Sequence, residues 1–380
     1  MLPISAPALA ALSYAQRPVR VLWSNDGGQK WAPVQFGSGG VTPDRTAEVR
    51  YSASVELLDV PRGRDGINSV ATEIRIFQGL GVPRLGVEWI PAGRYVIDRL
   101  KKTRLGVSLD LLGREEVVRG AALPTARTVG PDTAEACART LMSEALPAAS
   151  VSWRSGVKAA TRLPAFVDDE DRWSALSGGS DTAGTSTGIA TSLGAELYMD
   201  ANGVPTFAPV PTLDDPVVWR IPRNLATAEP SDEETSEKLV NLWVVTGDSG
   251  SGGAVIGPAY SWDDDPNSLT YAGPDPVEDP LAPQRMGLPQ VRVRTGKYSS
   301  ALITSKAQAA DVSRAQLADS LGVQASLAFS AVCNPAMEPG DVVLVEVADG
   351  VWERHLIDSC PYTLGGVSMT CQTRTSTRRP

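Results

Sequence analysis

Gly247-Asp248-Ser249-Gly250 could present a serine nucleophile on a tight glycine turn. Such a serine needs an imidazole to take its proton and a carboxylate to orient that imidazole. The chain has one histidine, His355, and it lies C-terminal to Ser249. His355 also falls in a segment that recurs elsewhere with Tyr95 at the same place, so the position reads as a structural ring rather than a base. The Gly-Asp-Ser-Gly run therefore reads as a glycine-serine loop. Asp263-Asp264-Asp265 and Asp168-Asp169-Glu170-Asp171 offer oxygens to a hard cation, but neither has the spaced ligand set of a calcium loop. They read as solvated acidic turns. The run at 229–237, E-P-S-D-E-E-T-S-E, reads as a linker or helix start. No two carboxylates stand out as an acid and base pair for glycan hydrolysis. No G-x-x-x-x-G-K-[ST] phosphate cradle is present, and no cofactor is called for.

The recurring segment is the more informative feature. Arg94-Tyr95-Val96-Ile97-Asp98 matches Arg354-His355-Leu356-Ile357-Asp358 at an offset of 260. Continued without a gap, the match pairs Thr103, Gly106, Val107, Ser108 and Arg114 with Thr363, Gly366, Val367, Ser368 and Arg374. Eight of 21 positions are identical, with Val96/Leu356 and Leu109/Met369 similar. Two copies so far apart are not a solenoid, which stacks adjacent repeats. They suggest one structural unit built twice.

The elements around these copies read mainly as β. Residues 47–60 alternate, with Val49, Tyr51, Ala53, Val55 and Leu57 on one face and Glu48, Arg50, Ser52, Ser54 and Glu56 on the other. Ile74 and Ile76 alternate in another strand. Asn25-Asp26-Gly27-Gly28 predicts a hairpin between 19–23 and 31–36. Pro91-Ala92-Gly93 predicts a turn, followed by an antiparallel pair at 94–100 and 105–112. From about 124 to 215 the character changes. A helix capped by Asp132 or Thr133 runs to about 146, and shorter helices are expected at 168–176 and 184–193. A hairpin follows, turning at Asp200-Ala201-Asn202-Gly203. From 217 the β signature returns. A strand at 239–245 precedes a long loop at 247–290. A helix at 304–321 and a strand at 323–331 follow. Ala348-Asp349-Gly350 joins strands at 341–347 and 351–357, and 366–374 closes the series. The expected division is a β-barrel unit at 1–122 with an N-terminal arm, an α+β insert at 123–215, and a second β-barrel unit at 216–380.

A chain of 380 residues suits several units. No apolar run is long enough to span a bilayer, and residues 1–12 lack the basic start of a signal peptide. This points to a chain made and kept in a cytoplasm. Cys137, Cys333, Cys360 and Cys371 lack C-x-x-C spacing, so reduced, partly buried thiols are expected. The net charge of −9 has no concentrated basic face; Lys101, Lys102 and Arg104 form only a short cluster. Tight binding to nucleic-acid phosphates is thereby disfavoured. Trp23, Trp31, Trp89 and Trp219 lie on strand-like runs and read as core or interface anchors.

The C-terminal third carries a resemblance. Asn334-Pro335-Ala336-Met337-Glu338-Pro339-Gly340-Asp341-Val342-Val343 matches N-P-x-[LM]-x-P-G-D-x-V, followed by Leu356-Ile357-Asp358 and a closing Val367-Ser368-Met369. This resembles the end of phage tail-hub proteins, in particular minor tail proteins of siphophages that infect actinobacteria, related to the baseplate hubs of contractile tails. The run at 239–247 resembles the start of that family's second barrel. The resemblance implies a homotrimer in which two tube-like barrels per chain make a pseudo-sixfold ring. It implies a virion tail tip, assembled in the host cytoplasm, as the location. It also implies neighbours: a distal tail or tail tube protein, a tape measure protein, a central fibre or spike protein, and DNA as passing cargo only. The first barrel departs from the pattern, with Pro91-Ala92-Gly93-Arg94 in place of P-G-D. A tail-associated cell-wall hydrolase using insert carboxylates and a carbohydrate-binding β module are the alternative readings.

Overall fold

The computed structural model describes all residues except 62–65, 124, 169–170, 179–187, 226–230, 235–239, 248–254, 269, 282–291, 322–324 and 376–380. Asp248, Ser249, Gly250, Asp169, Glu170 and parts of 229–237 thus lie outside the described residues.

The chain is mainly β with a small α+β insert. Helix α1 (Ala6–Ala10) is followed by β1 (Val19–Ser24), β2 (Ala32–Pro43), β3 (Tyr51–Leu58), β4 (Glu73–Val82), β5 (Gly86–Lys102) and β6 (Gly106–Gly113). The strands pair in the order β1-β4-β5-β6-β3-β2, and β1 pairs β2 to close the ring. Alternation drives this closure: Val107, Leu109 and Leu111 of β6 are buried, as are Tyr51, Ala53, Val55 and Leu57 of β3. At the β1–β2 turn, the Asp26 carboxylate accepts from the Gln29 and Lys30 amides at 2.9 and 3.0 Å.

One expectation is corrected here. Pro91-Ala92-Gly93 is not a turn but a bulge inside the 17-residue β5. Ile76 pairs with Gly93 and Phe77 with Pro91, leaving Ala92 as the extra residue. A bulge tolerates the missing proline N–H. The buried Tyr95 hydroxyl then donates to the Ala92 carbonyl at 2.6 Å.

α2 (Glu115–Arg119) leads into the insert, which carries β7 (Arg127–Val129), β8 (Asp132–Thr133), α3 (Ala134–Ala145), β9 (Ser152–Trp153), β10 (Arg162–Leu163), β11 (Phe166–Asp168), α4 (Arg172–Ser177), α5 (Ile189–Ser192), β12 (Ala195–Met199) and β13 (Pro205–Pro209). Thr133 caps α3 through Ala136 and Asp171 caps α4 through Ser174. Leu141, Met142, Leu176, Ile189 and Phe207 are among the residues of a separate core.

The second β region comprises β14 (Val217–Ile221), β15 (Ser231–Glu234), β16 (Leu242–Gly247), β17 (Ile256–Trp262), β18 (Thr295–Ser300), α6 (Lys306–Ser320), β19 (Ala325–Val332), β20 (Val342–Ala348), β21 (Val351–Ser359), β22 (Tyr362–Thr363) and β23 (Ser368–Arg374). The long loop expected at 247–290 contains a strand. β17 pairs with β16, whose other edge takes β18, and α6 packs on this sheet. The Gly and Pro content that signalled a loop is concentrated on either side of β17.

The two β regions share a strand order. β14-β20-β21-β23-β19-β15 follows the same sequence-order pattern as β1-β4-β5-β6-β3-β2, once β16–β18, α6 and β22 are set aside. They differ in that β14 runs parallel to β20 whereas β1 runs antiparallel to β4. The repeated segment falls on β5–β6 and β21–β23. Both hairpins shift register at the same residue, between Ile97 and Arg99 and between Ile357 and Ser359. The closing strands are offset differently: Val96 faces Leu112, but Leu356 faces Arg374. The second connection is two residues longer, so Gly106, Val107 and Ser108 correspond by pairing to positions two beyond their sequence matches Gly366, Val367 and Ser368. A shift of two keeps each side chain on its face.

An antiparallel seam between residues 39–45 and 358–364 makes the regions one sheet. Gly40 and Val41 of β2 pair with Thr363 and Tyr362 of β22, and the Leu364 amide donates to the Gly39 carbonyl at 2.9 Å. A Cβ on Gly40 would stand 2.9 Å from the Tyr362 carbonyl oxygen. One apolar cluster spans both regions, from Leu57, Leu109 and Ile76 to Phe329, Ile357 and Cys371. Leu2 of the N-terminal arm donates its amide to the Ala336 carbonyl at 2.7 Å, and Ser5 donates from its hydroxyl to Glu88 at 2.5 Å. Among the described residues, no helix is long and apolar enough to cross a membrane. In urea, the chain is expected to unfold in one transition by circular dichroism and fluorescence. Gly40→Val should lower its stability by about 1–3 kcal/mol, the scale of core overpacking.

Candidate functional site

The densest polar structure lies where the two β regions and the insert meet. Arg45 and Arg50 flank the link from β2 to β3. Arg45 donates through Nε to Glu196 of β12 at 2.9 Å and through Nη2 to Asp319 of α6 at 2.8 Å. Arg50 donates to the other Glu196 oxygen at 3.1 Å and to the Pro339 carbonyl at 2.5 Å. Its guanidinium carbon also sits 3.7 Å from the Tyr198 ring centre. Arg374 donates to Asp358 at 2.8 Å and to the Asp319 carbonyl at 2.6 Å. Glu196 therefore ties two arginines of the first region to the insert, while Asp319, Pro339 and Asp358 bring in the second. A cleft of about 640 Å³ opens beside this network, bordered by Arg45, Glu196, Trp243, Asp319, Ser320 and Arg374.

A second network sits at the other side of the insert. Glu73 of β4 accepts from both Arg94 and Arg114. Arg114 also donates to the Gly203 carbonyl in the β12–β13 turn at 2.9 Å. Beside it, Glu115 is fully buried. Its Oε1 accepts the Met199 amide at 3.1 Å, while its Oε2 is buried without a partner. Burial pushes the Glu115 carboxyl up to about 7, although the backbone amides of Glu115, Met199 and Arg50 favour its ionised form.

The residues singled out in the sequence fall as follows. Arg94, Arg114 and Arg374 belong to these networks, and Arg354 donates to the Leu213 carbonyl at 3.0 Å. Ile97, Ile357 and Val107 are buried, whereas Asp98, Val367 and Ser368 are exposed. Asp358 pairs with Arg374, whereas its counterpart Asp98 is exposed. The Asn334-to-Asp341 segment packs under the N-terminal arm. Asn334 is buried and accepts from the Ala336 amide at 3.2 Å. Pro335 precedes that contact, and Pro339 supplies the carbonyl that holds Arg50. Gly340 adopts φ +92 and donates to the Ile357 carbonyl at 2.7 Å, a conformation that favours glycine. Asp341 accepts the Glu338 amide at 2.8 Å, and burial raises the pKa of both carboxyls. His355 is wholly buried, with Nδ1 3.0 Å from the Thr373 hydroxyl and Nε2 3.3 Å from Glu353. All four cysteines are free and buried. Asp263 accepts from the Ser268 and Thr270 hydroxyls at 2.5 Å each, which closes its own loop.

Chemically, the networks join segments. Their cations are neutralised by carboxylates and carbonyls. Sequence reasoning missed Arg45, Arg50, Glu73, Glu115, Glu196 and Asp319. Arg50 had been placed on the polar face of its strand. It is buried because the insert covers that face, and nothing local in the sequence signals such a cover.

No family model matches the chain, and no curated protein does. Solved structures do match over nearly its whole length. A tail protein from Neisseria meningitidis aligns with a TM-score of 0.57 and 13% identity, covering 94% of this chain and 96% of that one. A 43 kDa tail protein of a Shewanella oneidensis prophage aligns at 0.55 and 10% identity, covering 93% and 98%. A prophage tail protein from Listeria monocytogenes aligns at 0.54 and 12% identity, covering 94% and 95%. The chain thus has the fold of these phage tail proteins.

Arg50→Ala leaves Glu196 with Arg45 alone and the Pro339 carbonyl without its guanidinium donor, and should lower stability by about 1–3 kcal/mol, measured in urea. Glu115 gives a pH signature. Its folded pKa stands above the ordinary glutamate value of 4.5. Its contribution is therefore fully present below pH 4.5 and is lost as pH rises through about 7, some ~3 kcal/mol in all. Glu115→Gln should flatten the fall in stability between pH 5 and 8, while the parent keeps it.

Proposed function

We propose that this chain is a structural hub of a phage tail tip. Three copies would form a ring of six β units that joins the tail tube to the tip and lets DNA pass. The observation that carries the reading is the repeated strand order with one polarity. β2 is antiparallel to β22, and β22 to β23, so β2 runs with β23. Within the first region β2 also runs with β6, because each is antiparallel to β3. β6 and its counterpart β23 therefore point the same way. Units related in this manner are neighbours in a ring rather than halves of a face-to-face dimer. Threefold symmetry acting on two such units gives near-sixfold symmetry.

Supporting this are the fold shared with phage tail proteins and the acidic balance of −9, which suits a lumen that DNA traverses without sticking. On this reading the chain resides in the virion tail tip. Its neighbours are a distal tail or tube protein, a tape measure protein and a central fibre or spike protein. The units are 1–122, the insert 123–215, and 216–380. The repeat residues and the Asn334-to-Asp341 segment act in packing and not in catalysis. Carboxylates of the insert fit that role. Glu144 is held by Arg127 and Arg172, Glu196 by Arg45 and Arg50, and Asp171 caps α4.

Sedimentation of the purified chain should give a mass of three copies, and a zymogram on host cell wall should stay dark. A persistent monomer would count against the hub. Lysis abolished by substituting an insert carboxylate would favour the hydrolase.

A further inference from the structure

The two β regions expose one apolar feature at the same structural position. Val107 of β6 faces Lys102 and Leu57, and Met369 of β23 faces Tyr362 and Ala331. Val107 and Met369 are therefore equivalent. Two residues earlier stand Leu105 and Val367, each just before its strand. The backbone bears out the match. The Asp59 amide, just past β3, donates to the Leu105 carbonyl at 3.3 Å. The Cys333 amide, just past β19, donates to the Val367 carbonyl at 2.9 Å. Each turn is also closed on itself, by Thr103 and Gly106 in one and by Thr363 and Gly366 in the other. Held in this way, Leu105 is 72% exposed and Val367 is 69% exposed. A single exposed aliphatic side chain is ordinary. Here two occupy one position, although the residues before them differ: Lys101-Lys102-Thr103-Arg104 in one turn and Pro361-Tyr362-Thr363-Leu364 in the other. Among the described residues, no other two exposed large apolar side chains are matched by pairing.

β6 and β23 point the same way, so both side chains stand at the same end of their units. The opposite end is not matched. There the β4–β5 pairing runs on from Ile76–Gly93 to Val82–Gly86. The equivalent β20–β21 pairing runs from Val345–Glu353 only to Ala348–Val351. The two hairpins therefore reach different heights. The insert follows β6, and α6 precedes β19, which is antiparallel to β23. Both leave from that unmatched end, and each occurs once per chain. In a ring of three chains, one end thus repeats six times and the other three times. A sixfold neighbour meets both units alike only through features that they share.

We propose that Leu105 and Val367 dock the ring onto the tail tube, with six aliphatic side chains seated in equivalent apolar sites of a sixfold tube ring. The insert end then faces the tip, where a threefold partner needs no matched positions. This rests on the ring reading above and adds the end that the tube occupies and the residues that meet it.

The test is co-sedimentation of the full-length chain with tail tubes isolated from virions that carry it and stripped of their tips. Leu105→Asp/Val367→Asp should weaken tube binding about tenfold or more, because it sets carboxylates against apolar sites. The milder Leu105→Ser/Val367→Ser should follow the same course, and each single substitution should cost less than its pair. Leu105→Val/Val367→Leu keeps both positions aliphatic and should bind like the parent. So should Leu85→Asp/Trp352→Asp, whose side chains are exposed at the opposite end. Sedimentation alone shows that each variant is still three copies. Trimeric Leu105/Val367 variants that bind like the parent would overturn the docking end and leave the ring standing. Loss of binding confined to the Leu85/Trp352 variant, or a parent trimer that ignores the tubes, would do the same. A parent chain that stays monomeric at every concentration, with or without tubes, would overturn both.

Discussion

The structure depends on a short strand pairing. Gly40 and Val41 of β2 meet β22, Asp44 bridges to Ser359, and through this seam two β regions become one sheet with one apolar core. The approach is close, because a side chain on Gly40 would collide with the Tyr362 carbonyl. So short a seam would not hold two bodies together by hydrogen bonds alone, since each bond adds only ~1 kcal/mol net. The seam sets register and polarity, and the shared core supplies most of the stabilisation. Because the pairing fixes polarity, the strands of the second region from β15 to β23 point the same way as their counterparts in the first, while β14 does not.

The insert is held to this frame differently. It has its own core and meets the β regions through buried charge. Glu196 receives two arginines, Glu73 receives two more, and Arg114 reaches a carbonyl in the insert's turn. Buried ion pairs stabilise weakly compared with an apolar contact of the same volume, but they tolerate little misplacement. They suit a part that must keep its orientation. Glu115 is the exception in the set, a buried carboxyl with one unpartnered oxygen and a pKa near neutrality.

Local features were legible in the sequence. Alternation gave the faces of β3, Asn25-Asp26-Gly27-Gly28 and Ala348-Asp349-Gly350 gave turns, and Thr133 was one of the two candidate caps for α3. The mainly β class with an α+β insert followed from these. Features set by distant partners were not legible. Pro91-Ala92-Gly93 has turn composition, yet β4 continues alongside it and makes it a bulge. β17 lies in a run whose Gly and Pro content suggested a loop, and its strand state comes from pairing with β16. The two-residue difference between the copies is hidden because Gly106-Val107-Ser108 and Gly366-Val367-Ser368 match in sequence while the strands pair elsewhere. Arg45 and Arg50 look like ordinary polar positions, because their partners lie more than 140 residues away.

The claim that organises these observations is that two like units of one polarity are built for a ring. Electron cryomicroscopy of the assembled protein tests it most directly. A threefold ring with six β units at near-60° steps, all oriented alike around an open centre, is the predicted result. A dimer with opposed units, or a ring in which only one β region per chain lines the centre, would contradict it.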